Sequence, residues 1–162
     1  METQATGRSK RQKSYEFYKK LYKLTIGGGL AFWVTTIAIS LTPIRAEFRA
    51  AFSMSYIQTV LVEALLGSII ISCFVSFFLL RFFEKIPTKN QILKSVILSF
   101  VPYVISLILL GVAASRTSDA LHIFLIGAAL NVPTFLILGI VIGYLYKRLY
   151  RSLHLRSADG SK

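Results

Sequence analysis

The sequence is poor in the groups that most enzymes rely on. It has one cysteine, two histidines and one tryptophan, with seven acidic residues against nineteen Lys and Arg. Cys73 alone can neither close an internal disulfide nor build a thiolate metal cluster, so it leaves the redox compartment undefined. His122 and His154 lie outside any HExxH pattern, and there is no CxxC pair, no phosphate-binding glycine loop and no pair of carboxylates within one apolar run. Ser68, Ser72 and Ser76 have no evident base. These gaps remove the usual signatures of metal-assisted hydrolysis, nucleotide binding and serine catalysis. The expectation is therefore a protein that is not an enzyme, with no cofactor and no metal site.

Charge is also missing from most of the chain's middle. The runs Leu24 to Ile44, Tyr56 to Leu80, Ser95 to Ser115 and Ala120 to Tyr146 contain one full charge, Glu63. Each is long enough to cross an apolar slab, which takes about 20 helical residues. The first run is too long for a secretory signal, follows a polar segment, and has only a poor cleavage pattern at Ala46 to Ala50, so it reads as a membrane anchor. The expected fold class is an all-α integral membrane four-helix bundle with both termini cytoplasmic. A basic tail and interfacial segment (1–23) precedes a four-span domain at 24–146 (24–44, 56–80, 95–115, 120–146), and a basic tail (147–162) follows.

The bias of positive charge sets this orientation. Sixteen Lys and Arg residues fall before the first run, around the connection of the second to the third, or after the fourth; only Arg45, Arg49 and Arg116 fall on the opposite connections. Short cytoplasmic segments retain Lys and Arg, which places both ends and the middle turn inside. Tyr15, Tyr18 and Tyr22 lie among lysines in YEFYKKLYK, and Tyr144, Tyr146 and Tyr150 in YLYKRLYRSL, as boundary anchors. The 15–23 segment either extends the first helix or lies on the membrane surface. The net charge of +12 has no base-reading pattern attached to it, so no nucleic acid is expected and membrane lipids, including anionic headgroups, are the expected counterions. The location is an integral, multi-pass membrane one, the plasma membrane if the source is prokaryotic.

Polar positions inside the runs form the candidate site: Thr59, Glu63, Asn131 and Thr134. At helical spacing Thr59, Glu63 and Gly67 share one face, and Ser68, Ser72 and Ser76 form a stripe roughly opposite, which marks the second span as the bundle's central helix. Gly127, Asn131 and Thr134 lie close to one face of the fourth span, where Asn131 reaches a depth suited to donating its amide to Glu63. Gly139 and Gly143 invite close approach of another helix. Pro133 and Pro102 free the carbonyls of Ala129 and Leu98. The Gly27 to Gly29 triplet loosens the first helix or lets another pack closely, and His122 reads as an interfacial residue.

A lone membrane glutamate resembles small multidrug transporters in general outline. Its place in the second span and the strong fixed topology depart from that pattern, and no residue role is carried over. Two functions stay open: a non-enzymatic membrane subunit or assembly factor, with other membrane subunits or further copies of the chain as partners, and a small oligomeric transporter or channel, proton-coupled through Glu63.

Overall fold

The computed structural model describes the backbone at residues 2–88 and 90–159, and the side chains at position 12 and over 14–149 except 63, 84 and 89. Among these residues the chain is helical, with no strand. Four helical stretches are long and apolar enough to cross a membrane: Ser14–Ser40, Tyr56–Phe82, Gln91–Ala114 and Ala120–Leu149.

The first helix, α1 (Glu2–Ser40), is continuous through the basic, tyrosine-rich segment, so Tyr15, Tyr18 and Tyr22 extend it as exposed side chains. It stops before the apolar run does. Thr42 caps a new helix, α2 (Pro43–Ala51): its Oγ1 accepts from Arg45 N at 3.4 Å, and Pro43 occupies the first turn, where a missing N–H costs nothing. After a short turn, Ser55 and Gln58 form a reciprocal capping box that opens α3 (Tyr56–Gln58). A π-helical stretch (Thr59–Leu66) follows and runs into α4 (Gly67–Phe82). A 3₁₀ turn (Phe83–Lys85) leads towards α5 (Gln91–Ala114), capped by Asn90 Oδ1 accepting from Ile92 N at 3.0 Å. The last helix is α6 (Ala120–Asp159).

The π turns reset the buried face of the second span. Its buried small and polar positions are Thr59, Ala64, Ser68, Ser72 and Ser76: one interval of five, then intervals of four. An interval of five is what the wider i to i+5 turn places in line, and the Gly67 N–H donates to Val62 O in that pattern. Thr59 therefore continues the serine stripe rather than opposing it. Gly67 belongs to neither face, because a Cβ there would meet nothing within 4 Å.

The bundle is two antiparallel hairpins. One joins α5 to α6, the other α1 to α4 and the π segment, and α1 against α6 links them. Thus α1 and α6 hold the centre, and the expectation of a central second span is corrected. Gly28 gives the physical reason, since a Cβ there would stand 2.5 Å from Ser72 Oγ and 2.6 Å from Ile142 Cγ1, at the meeting of three helices. Ser72 Oγ donates to Thr25 O at 2.9 Å across that contact. The α5–α6 hairpin closes through Gly139 and Gly143, whose missing side chains face Val96 and Ser99, then Ile92 and Ser95. Leu24, Phe32, Leu79, Phe135, Leu138 and Ile142 belong to the main core, with Phe32 and Tyr103 rings each 5.4 Å from Phe135.

Candidate functional site

The four candidate residues occupy different neighbourhoods. Thr59 is fully buried, its hydroxyl donating to Ser55 O at 3.1 Å in the preceding turn. The Glu63 backbone lies inside the π-helical stretch, which packs on α1, while its side chain lies outside the described residues, and with it the contact expected with Asn131. Thr134 is buried on α6, with Oγ1 3.4 Å from Leu130 O. Among the described residues no hydrogen bond joins Thr59 to Asn131 or Thr134.

Asn131 lines a cavity of about 300 Å³ between α2, α5 and α6, with Phe48, Phe52, Met54, Ser106 and Leu110 among its walls. It is half-buried, and no described residue hydrogen-bonds to its amide. The Ser106 hydroxyl already donates to Tyr103 O at 2.7 Å and keeps its acceptor capacity. Asn131 stands about 16 Å along α6 from Ala120, at ~1.5 Å per residue. At that position its amide, with two donors and an acceptor, opens into the cavity without a hydrogen-bond partner among the described residues.

The roof of this cavity is α2, which hydropathy alone hides because the apolar run continues to Ile44. The signal for it is the Thr42-Pro43 pair, a helix start, followed by apolar residues at helical spacing. Phe48 is buried against the place where a Gly127 Cβ would be, 2.7 Å from its ring, and Arg45 lies over the Phe48 ring at 4.6 Å. Arg49 Nη1 donates to Ser40 O at 2.8 Å, and His122 Nε2 pairs with Glu47 Oε1 at 2.9 Å. The last pair is half-exposed on both sides, so it guides α2 onto α6 with less than ~1 kcal/mol. Among the described residues no three His, Cys, Asp or Glu side chains converge as a metal site.

Two carbonyls in the turn before Pro133 accept side-chain hydrogen bonds. Tyr103 Oη donates across the hairpin to Ala128 O at 3.2 Å, and Thr134 Oγ1 approaches Leu130 O, on either side of the freed Ala129 carbonyl.

A second cavity, about 380 Å³, runs between α1 and the second span. Tyr22, Thr25, Ile26, Gly29, Leu30 and Trp33 line one wall, and Leu65, Ser68 and Ile69 the other. Two donors in this wall, Thr25 Oγ1 and Trp33 Nε1, are buried and meet no acceptor among the described residues. At the α4–α5 turn, Lys94 is 7% exposed: its Nζ donates to Phe83 O at 2.6 Å and lies 4.0 Å over the Phe83 ring, which stacks on Tyr146. The ammonium thus completes the last turn of α4, where cations are favoured. No family model, curated protein or solved structure matches this chain, so its role is argued from these sites alone.

Proposed function

We propose that the chain is a non-enzymatic integral membrane subunit or assembly factor, seated with both termini and the α4–α5 turn on the cytoplasmic side. The four long apolar helices and the charge bias between their connections support the membrane placement. The observation that carries the function is the unmatched Asn131 amide in its cavity. Acyl chains supply no donor or acceptor, so an amide at that depth gains most from a polar group on another helix, from a different subunit or a second copy. Interhelical hydrogen bonds of this kind contribute about 0.6–2 kcal/mol, which alone holds no complex. The partner's side chain must also fill the space between Phe48, Phe52 and Leu110.

Purification in a lipid-retaining detergent, with complex mass and co-purifying proteins measured, tests this directly. The wild-type chain is expected in a stoichiometric complex, and Asn131→Leu is expected to weaken it about 3-fold to 30-fold while the subunit stays folded. A monomer without partners, or an N131L complex of undiminished stability, would refute the proposal.

A second reading has its own observation. Rare π-helical turns often accompany functional sites, and the one here surrounds Glu63. In this reading an oligomer moves protons coupled to a solute, with Glu63 as the titrating group. Proteoliposomes enclosing a pH-sensitive dye should then show a proton flux that Glu63→Gln abolishes without changing oligomer mass; equal flux in both proteins removes Glu63 from the mechanism.

A further inference from the structure

The cavity between α1 and the second span has three properties that together specify an occupant: its length, its wall and the charge at one end. From Tyr22 to Trp33 it follows α1 for about 16 Å, close to the ~15 Å that one leaflet contributes to a 30 Å hydrocarbon layer. Its wall is apolar apart from Tyr22, Thr25, Ser68 and Trp33, and the Ser68 hydroxyl is already engaged with Leu65 O at 2.8 Å. Stepping back along the same face of α1 from Gly29 and Ile26 leads to Tyr22, then Lys19, then Tyr15. Lys19 and Lys23 are both exposed there, with Lys19 Nζ 6.0 Å from the Tyr15 ring centroid.

We infer that this groove holds one acyl chain of an anionic phospholipid from the cytoplasmic leaflet, its phosphate between Lys19 and Lys23. Gly29 lines the groove where α1 and the second span meet: a Cβ there would already touch the Ser68–Ile69 backbone at 3.7 Å, so a larger side chain must enter the groove or part the two helices. The Thr25 hydroxyl is buried away from the groove, so at this level the wall meets its occupant as apolar surface, as an acyl chain requires. A zwitterionic lipid offers the same chain and ester but no net charge for the lysines, so the site prefers the anionic headgroup. The inference rests on the membrane-spanning part of the proposal above and is independent of Asn131.

Trp33 makes the site directly readable, because it is the chain's single tryptophan and lines the groove. The full chain is reconstituted in phosphatidylcholine vesicles with a matched mole fraction of chain-brominated lipid, either phosphatidylglycerol or phosphatidylcholine, and Trp33 quenching is recorded. Brominated phosphatidylglycerol is expected to quench with an apparent affinity about 5-fold to 30-fold higher, the range two lysines produce at a membrane surface. Lys19→Gln with Lys23→Gln should remove the preference, and Gly29→Leu should remove it with the lysines intact. Ile26→Phe fills the same groove and substitutes if Gly29→Leu does not fold. Equal quenching by the two lipids overturns the site. So does a preference that survives groove filling, which marks general attraction of anionic lipid to a basic surface. Strong protection of Trp33 from both lipids in the purified complex, lifted by removing the partner, assigns the groove to a partner helix and overturns the lipid. Absence of quenching by either lipid in the isolated chain overturns the membrane placement itself.

Discussion

Gly143→Leu is expected to unfold the α5–α6 hairpin, while the same replacement at Gly67 leaves the protein folded. A Cβ on Gly143 would lie 2.7 Å from Ile92 Cα and 3.1 Å from Ser95 Cβ, and one turn away a Cβ on Gly139 would lie the same 2.7 Å from Val96 Cα. The Ile92 and Val96 Cα atoms are backbone, which cannot swing aside as a rotamer can, so α5 must move away along its length. Extra methylenes in a packed core cost about 1–3 kcal/mol when side chains can yield. Here they cannot, and the cost should exceed that range, a large share of the roughly 5–15 kcal/mol that holds a domain together. Gly67 has open space around it, and Gly67→Ala should raise stability by up to ~1 kcal/mol through helix propensity. Thermal denaturation in detergent, followed by circular dichroism and monodispersity, separates the cases. A G143L midpoint equal to wild type would contradict the packing described for α5 and α6.

Gly28→Val should be the second most damaging change, and it acts between the hairpins rather than within one. The new side chain collides with Ser72 Oγ and with the fully buried Ile142, so α1 must retreat from α4 and α6 together. The Ser72 to Thr25 hydrogen bond is lost in that movement. Ser72→Ala isolates this term. Interhelical bonds in such settings average about 0.6 kcal/mol, so Ser72→Ala should cost several-fold less than Gly28→Val. The difference measures packing at the three-helix junction, including the edge-to-face contact of Phe32 with Phe135. A Gly28→Val midpoint no lower than that of Ser72→Ala would mean that α1 does not stand between its neighbours.

Much of this architecture was legible in the residues because it follows from hydrophobicity and size. Four apolar runs between basic segments foretell four long helices, and Gly139 with Gly143 foretells a close approach, which α5 makes. Which residues of the second span share a face is not legible, because a constant period of 3.6 residues does not hold throughout it. The π turns at Thr59–Leu66 add a residue to the count, so Thr59 lines up with Ser68 and Ser72, and Gly67 falls in open space. No local residue pattern announces such a turn. Thr42 and Pro43 signal the end of α1, but the apolar run continues to Ile44 and hides it from hydropathy. Lys94 shows a third limit: counted as a boundary charge, it is buried against Phe83, a contact that depends on the α4–α5 turn bringing the two together. The candidate site divides the same way. Asn131 was identifiable as a polar group in an apolar run, but its cavity depends on α2 folding over α5 and α6.

A π turn is an α-helix with one residue more than its hydrogen-bond ladder needs. In an ordinary helix, deleting a residue rotates everything on one side of the cut by about 100° relative to the other. Between Val60 and Leu66 the same deletion can be absorbed by closing the wide turn into α geometry, leaving Gly67 onward and the capping box at Ser55 in their present relation. This stretch is therefore a place where the chain can gain or lose a residue over evolutionary time without re-aiming its serine stripe, and sister sequences would be expected to differ in length there.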